Sequence, residues 1–355
     1  MKVVFLSLYS GVSARGVETH VHELANRLCH VVDVTVFQSG AKLPGAEYKT
    51  ITIAAKIDWE KPDRRWKLSG LFLFDYWSRL NFSFTFRVLR LLGSDADILI
   101  PTNGLWQTVL CRLWSFLYRK KLVVAGHSGP GIDDRFNLLC RPDVFVTLTE
   151  TQKTWAAGHN FGVRLEKISN GVDLKKFRPF GPRAEINLPH PLYLCVAGLE
   201  KNKRVDLTIQ AVAKLPGAGL LVLGKGPERE KLNDLANRLM PGRYAFASVA
   251  NNQMPRYYRT ADVFTMASIP NESFGIVFLE AMASGLPVVA GNDPIRREII
   301  GPAGFFVNPR NIGEYAKILA KAPATDWKNL PRSQAEKFSW EKTAASYFKL
   351  FSSLT

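Results

Sequence analysis

Short apolar runs alternate with stretches of helical spacing along almost the whole chain. Residues 3–8 form a nearly continuous apolar run, too short for a helix, and predict a buried strand. A loop holding Gly11 and Gly16 follows. Apolar positions at helical spacing over 18–28 then predict a helix, and 33–37 a second strand. Further strands are predicted at 98–101, 122–125 and 144–147, with helical patterns between them. The alternation pauses around Asn170-Gly171-Val172-Asp173, and 177–182 reads as a linker rich in breakers. A second series opens with a strand at 192–197 and a helix at 205–214. Its later strands are predicted at 220–223, 244–247, 263–266, 287–290 and 304–307, and a closing amphipathic helix at 340–351. Strands alternating with helices imply parallel, doubly wound sheets. The expected fold class is therefore α/β, with two Rossmann-like domains facing a cleft. Residues 1–180 would form the first, 181–337 the second, and a C-terminal helix within 338–355 would return to the first.

One segment departs from this regular pattern. Between Asn271 and Ala290 two carboxylates, Glu272 and Glu280, stand eight positions apart across the start of an apolar helix that Gly285 and Pro287 stop. At 1.5 Å per residue, eight positions span roughly 12 Å, about the reach from a sugar across a diphosphate to a ribose. The free N–H groups of a helix N-terminus lie between the two carboxylates and suit an anion. One element can thus hold both ends and the middle of a nucleotide-sugar.

Composition adds a constraint on partners. The 355 residues are 46% hydrophobic and 22% charged, as in an ordinary soluble protein, and two domains are the natural count. Lys and Arg number 47 against 31 Asp and Glu, a net charge of +16, so an anionic partner is expected. The excess is spread over both halves without a nucleic-acid motif, which argues against nucleic acid. Cys29, Cys111, Cys140 and Cys195 are scattered without metal-ligand spacing and read as free thiols in a reducing, cytoplasmic compartment. The apolar start, with Ala14 near a cleavage point, imitates a short signal peptide, but the helical pattern that follows without a break favours a strand.

Read together, the motifs resemble the retaining GT-B glycosyltransferases of family 4. The run from Asn271 to Val289 is similar to that family's Glu-x7-Glu element. Gly16-Val17-Glu18 resembles its glycine loop, and Ser169-Asn170-Gly171-Val172-Asp173 with Phe177 and Pro179 its interdomain motif. Lys203 falls at its phosphate-binding lysine, and Gly224-Lys225-Gly226-Pro227 and Ala261-Asp262-Val263 match its remaining turns.

The resemblance implies transfer of a sugar from a UDP- or GDP-linked donor to a glycan or lipid-linked acceptor with retention of configuration, needing no cofactor or metal. It assigns Glu272 to the sugar hydroxyls, Glu280 to the ribose hydroxyls, and the backbone N–H groups of Phe274, Gly275 and Ile276 to the distal phosphate. Lys203 would neutralise the diphosphate, Gly16 would bring backbone to it, and His127 would lie against sugar and acceptor. No side chain reads as a nucleophile, so same-face attack assisted by the leaving diphosphate is implied.

The chain also departs from the family pattern. Leu199 stands where an arginine usually follows the strand-end glycine, leaving Lys201 or Arg204 to supply that cation, and Arg15-Gly16 replaces a double glycine. These departures raise an alternative, a GT-B protein that binds nucleotide-sugar with weak or no turnover. A nicotinamide-dependent oxidoreductase is disfavoured because neither first strand leads into GxGxxG. Asp95-Ala96-Asp97 imitates a metal motif but runs straight into a strand, so it is given no catalytic role. His20 and His22, two apart on a helix, face different ways and do not form a zinc site. Between Trp59 and Arg90 aromatics (Trp66, Phe72, Phe74, Tyr76, Trp77, Phe82, Phe84, Phe86) interleave with Arg64, Arg65, Lys67, Arg79, Arg87 and Arg90. The stretch fits either a face lying on an anionic membrane, the protein then being peripheral on its inner side, or amphipathic helices packing their aromatics inward.

Overall fold

A computed structural model describes the chain apart from residues 14, 60, 62–72, 74, 160–161 and 269–271. Ala14, Arg64, Arg65, Trp66, Lys67, Phe72, Phe74 and Asn271, named above, lie outside the described residues. The chain divides into two compact units, one of Met1–Asn170 with Trp340–Thr355 and one of Gly171–Ser339. The second takes in 177–182, read from sequence as a linker. Phe177 is buried there with its ring 5.8 Å from Tyr258, and Pro179 packs on Gly285.

The first unit runs β1 (Lys2–Ser7), α1 (Gly16–Leu28), β2 (Asp33–Gln38), β3 (Lys49–Thr52), α2 (Tyr76–Leu92), β4 (Ile98–Pro101), α3 (Trp106–Leu117), β5 (Lys121–Ala125), α4 (Ile132–Leu139), β6 (Val144–Thr147), α5 (Glu150–Ala157) and β7 (Arg164–Lys167). Its strands form one parallel sheet in the order β3-β2-β1-β4-β5-β6-β7. β1 lies inside it between β2 and β4, with Val3, Val4, Phe5 and Leu6 fully buried, as a strand covered on both faces requires.

The second unit runs β8 (Leu192–Val196), α6 (Val205–Ala213), β9 (Gly219–Leu223), α7 (Arg229–Leu239), β10 (Tyr244–Ala247), α8 (Met254–Thr260), β11 (Val263–Met266), α9 (Ile276–Ala283), β12 (Val288–Gly291), α10 (Pro294–Ile300), β13 (Gly304–Val307), α11 (Ile312–Lys321) and α12 (Leu330–Ala335). Its parallel sheet has the order β10-β9-β8-β11-β12-β13. Strand order reverses between β1 and β4 in one sheet and between β8 and β11 in the other. Connections leave such a pair toward opposite sides, opening a crevice at the strands' carboxyl ends.

The last helix, α13 (Trp340–Ser352), belongs to the first unit. Its Ala344, Tyr347, Leu350 and Phe351 share a core with Val21, Leu24, Ala25 and Leu28 of α1, and Thr343 donates to the Ser169 carbonyl at 2.9 Å. Side-chain caps fix several helix starts, Asp75 accepting from Ser78 N–H and Asp293 from Arg296 N–H. Among the described residues no helix is long and apolar enough to cross a membrane.

The sequence reading did not foresee β3 or β7. Both are edge strands with half-exposed or exposed residues, KTIT and RLEK, and so lack the continuous apolar run that marks an inner strand.

In the second unit the turn after β9 closes onto the segment after β8. Leu199 N–H donates to the Lys225 carbonyl at 2.9 Å, and the Leu199 carbonyl accepts from Glu228 N–H at 3.0 Å. A Cβ on Gly226 would stand 2.4 Å from the Leu199 carbonyl oxygen, which is backbone and cannot step aside. We expect Gly226→Ala to cost about 2 kcal/mol or more, read as a fall of several degrees in Tm; an unchanged Tm would show that the turn can relax.

Candidate functional site

The two strands flanking the reversal in the second sheet carry the principal charged pair. After β8 the chain makes a single 3-10 turn, Lys201–Lys203, and Arg204 adopts a left-handed conformation at φ 48° before α6 begins. Lys203 is thereby set at the carboxyl end of β8. Glu272 stands between β11 and α9. The Lys203 ammonium donates to both of its carboxylate oxygens, at 2.7 and 2.9 Å, with the two side chains only 22% and 19% exposed.

Gly275 turns the chain into α9 at φ 86°, and a Cβ there would meet the Phe278 ring at 2.7 Å, so the bend demands glycine. Phe274 is buried, its ring 6.1 Å from that of Phe338. At the start of α9 the first backbone N–H groups have no carbonyl four residues back within the helix, which gives this end a partial positive charge beside Glu272. Ile276 is its first residue.

Glu280 sits within α9, nearly buried among apolar neighbours. The buried Tyr258 of α8 donates to its Oε2 at 2.7 Å. Burial, and then the Glu280 charge, hold the Tyr258 phenol well above its ordinary pKa, so it remains a donor. Periodicity alone did not reveal Tyr258, because a tyrosine on a short helix ordinarily reads as packing.

A second unforeseen support is Arg296. Almost fully buried, it reaches Asp293 at 2.5 Å and donates to the carbonyl and hydroxyl of Ser268 at 2.9 and 2.5 Å, so it ties the end of β11 to the start of α10.

The cation side is more occupied than the sequence implied. Leu199 is fully buried in the core of the unit. Arg204 is held by Asp206 through two bonds of 3.0 Å, and Lys201 is exposed.

In the first unit Gly16 is the opening residue of α1, with open space where a Cβ would stand. The close approach in that loop belongs to Gly11, at φ 78°, where a Cβ would lie 2.3 Å from the Ala41 carbonyl oxygen. The Arg15 guanidinium lies over the Trp59 ring at 5.1 Å.

His127 follows β5, and its ring meets that of His20 edge-on at 4.5 Å. His20 Nδ1 is bonded to Asn170 Oδ1 at 2.8 Å, and burial lowers its pKa to about 4. His127 is also pushed well below the usual histidine value, first by burial and then by His20, so both rings are neutral at pH 7. Among the described residues the Nε2 of His127 has no hydrogen-bond partner. His22 turns instead to Tyr48, at 3.1 Å. Asp97 is taken up by the Lys2 backbone N–H at 2.8 Å and by the Lys120 ammonium at 3.1 Å, and Asp95 by the Lys2 side chain.

The loop carrying His127 rests on buried polar groups. Gln152 donates to the Gly126 carbonyl at 2.6 Å and to Asp134 at 3.1 Å, and Asn137 donates to Asp134 at 3.2 Å. Burial raises the Asp134 carboxyl to about 7 against these bonds.

Comparison with known proteins agrees with this architecture. The family model described as Glycosyltransferase Family 4 matches residues 14–176, and that described as Glycosyl transferases group 1 matches 181–337. The chain is 31% identical over 191 residues to a GDP-mannose-dependent alpha-(1-6)-phosphatidylinositol monomannoside mannosyltransferase of Mycobacterium tuberculosis, covering 48% of this chain and 50% of that one. It is 32% identical over 212 residues to a D-inositol 3-phosphate glycosyltransferase of Mycolicibacterium smegmatis, covering 53% and 48%. The chain thus spans about half the length of the curated relatives it matches. Among solved structures, Anabaena HepE in complex with UDP and glucose superposes with a TM-score of 0.79 at 20% identity, over 99% of this chain and 100% of that one. The sucrose-phosphate synthase of Thermosynechococcus elongatus gives the same score and identity, over 99% and 98%.

The Asp134 carboxyl sets a pH dependence. Its folded pKa lies above its unfolded one, so the stability it contributes is complete below about pH 4 and is lost as pH rises through about 7. Between about pH 5 and pH 8 the wild type should therefore lose roughly 2 kcal/mol relative to Asp134→Asn. The measurement is Tm against pH for both proteins; parallel profiles would contradict the assignment.

Proposed function

The chain belongs to glycosyltransferase family 4 and has the GT-B fold, and on that premise we propose that it transfers a sugar from a UDP- or GDP-linked donor to a glycan or lipid-linked acceptor with retention of configuration. The observation that carries this reading is the Lys203–Glu272 pair beside the N-terminus of α9, with Glu280 eight positions further on. Ammonium, helix N-terminus and two carboxylates then stand in the order that diphosphate, sugar and ribose require.

In this reading Glu272 accepts hydrogen bonds from sugar hydroxyls, and Glu280, anchored by Tyr258, accepts those of the ribose. The N–H groups of Phe274, Gly275 and Ile276 meet the distal phosphate. The acceptor oxygen bonds to the anomeric carbon on the face from which the diphosphate departs, and the departing diphosphate takes the hydroxyl proton. Lys203 and the α9 N-terminus stabilise the charge that builds on that leaving group. Arg204 is a secondary contributor, since Asp206 already shares its charge. From the resemblance, Gly16 is assigned to the diphosphate, and the neutral His127 to the sugar and acceptor, where an imidazole can accept or donate a single hydrogen bond. A lipid-linked acceptor places the protein beside an anionic membrane surface. The four cysteines are free, and the proposed place of action is the cytoplasm, at the inner side of the membrane.

One observation favours a weaker enzyme or a donor-binding protein. Leu199 is buried core, and both nearby cations with bonded partners are shared with carboxylates. Two measurements separate the readings. A screen of UDP- and GDP-sugars should raise Tm for the correct donor, by mass action. With that donor, Glu272→Ala and Lys203→Ala should each lower turnover about 100-fold or more, and the double variant should fall little further because the two act as a pair. A Tm shift without turnover would establish the binding protein, and turnover within a few-fold of wild type in either variant would remove that residue from the site.

A further inference from the structure

The two helices α2 and α3 bury mixed faces, with Phe84, Val88, Leu92, Cys111 and Trp114 in the core of the unit beside polar residues, and each also turns large apolar residues to water. On α3, Gln107, Thr108 and Ser115 are buried, whereas Phe116 is 80% exposed, Leu117 72% and Leu113 63%. On α2, Ser78, Asn81 and Thr85 are buried beside Phe84 and Val88, whereas Leu91 is 62% exposed and Phe86 53%. A surface helix in water ordinarily keeps its outer face polar.

Most of the buried polar groups find partners inside, although among the described residues Ser78 Oγ and Gln107 Nε2 have none. Gln107 accepts from the N–H groups of Thr102 and Asn103 at 2.7 and 2.9 Å, Thr108 donates to Asn137 at 2.8 Å, and Asn81 donates to the Asn103 carbonyl at 3.2 Å. The inward faces are therefore held by these hydrogen bonds together with the core packing of Phe84, Val88, Leu92, Cys111 and Trp114, and the outward apolar residues are not needed to hold the helices in place.

These exposed residues form one surface. The helices lie side by side in the same direction, joined near their starts by Phe82 against Trp106 at 5.6 Å and near their ends by Trp114 Nε1 donating to the Gly93 carbonyl at 2.6 Å. Phe86 stacks parallel to Phe82 at 6.4 Å, extending the apolar strip along α2. Leu113, Phe116 and Leu117 share one face of α3 by their helical spacing.

Charge identifies the occupant. α2 and α3 carry Arg79, Arg87, Arg90 and Arg112 and no acidic residue, and Arg119 and Lys120 follow directly. Among the described residues Arg79, Arg90 and Arg119 make no ion pair, and all three are exposed. A second copy of the chain docking here about a two-fold axis would set these cations against their own equivalents. An apolar strip with uncompensated basic groups around it matches instead the acyl boundary and anionic headgroups of a bilayer.

We propose that the outer face of α2 and α3 docks on an anionic lipid surface, with Leu113, Phe116 and Leu117 entering the headgroup layer and Arg79, Arg90 and Arg119 pairing with lipid phosphates. The proposal rests on the reading above only for its purpose, presenting a lipid-linked acceptor. Its observations are independent of the donor site.

The test is flotation of the full chain with vesicles of equal phosphatidylglycerol and phosphatidylcholine, and with phosphatidylcholine alone, at low and high salt. The wild type should float with the anionic vesicles, and less so at high salt. The variant Leu113→Ser/Phe116→Ser/Leu117→Ser should bind about tenfold more weakly or worse, and Arg90→Gln/Arg119→Gln several-fold more weakly with a shallower salt dependence. Melting temperatures close to wild type show that the variants fold, and the UDP- or GDP-sugar Tm shift tests the donor site separately. Absence of wild-type flotation, equal flotation of the variants, or a wild-type dimer that the serine variant converts to monomer would each overturn the proposal.

Discussion

A parallel sheet wound in both directions has one place where strand order reverses, and only there do the connections leave a crevice at the carboxyl ends. In the second unit that place lies between β8 and β11, the strands that deliver Lys203 and Glu272. Their ion pair therefore follows from topology as much as from local sequence. Two groups 69 positions apart meet because each lies just beyond the end of a strand beside the reversal. The 3-10 turn at Lys201–Lys203, the left-handed Arg204 and the bend at Gly275 then adjust the approach of each side chain.

Charges in this environment need fixed partners, because burying an unpaired one is costly. Glu280 has Tyr258, whose phenol is kept protonated by the same burial, and Arg296 has Asp293 and Ser268. Neither interaction lies at the Lys203–Glu272 contact, yet each fixes an element that borders it. Tyr258 joins α8 to α9, and Arg296 holds the end of β11, from which the chain leaves toward Glu272. The His20–His127 pair of the first unit works differently. Desolvation keeps both rings neutral, so what it offers is hydrogen bonding and shape rather than charge.

The inner strands were legible in the sequence almost to the residue, since buried parallel strands such as β4, β6 and β11 are short apolar runs bounded by polar turns. Of the edge strands, β10 and β13 carry apolar runs and were legible too, whereas β3 and β7 were not, because KTIT and RLEK lack that run. Motif order pointed to Lys203, Glu272 and Glu280, and the structure brings the first two into contact. The partners that steady the rest were invisible, since Tyr258, Arg296, His20 and Asp134 are set by packing between elements distant in the chain. The glycine loop shows the limit of motif reading most plainly. Gly16 carries the resemblance, but the position where only glycine fits the backbone is Gly11.

The aromatic and basic stretch between Trp59 and Arg90 left two readings open, and its described residues divide between them. Phe84 packs inward and Phe86 outward, two positions apart on one helix. Amphipathic spacing alone gives no direction, because a polar face can lie on either side. The direction here is fixed by the core packing of Phe84, Val88, Leu92, Cys111 and Trp114 and by the hydrogen-bonding partners that Asn81, Gln107 and Thr108 find inside, which come from the loop after β4 and from α4. The surplus of +16 then divides into unlike parts. Lys203 and Arg204 are matched by carboxylates, Glu272 and Asp206, whereas among the described residues Arg79, Arg90 and Arg119 make no ion pair beside an apolar face. Net charge alone would have assigned both sets to the same anionic partner, and the difference in pairing is what separates them.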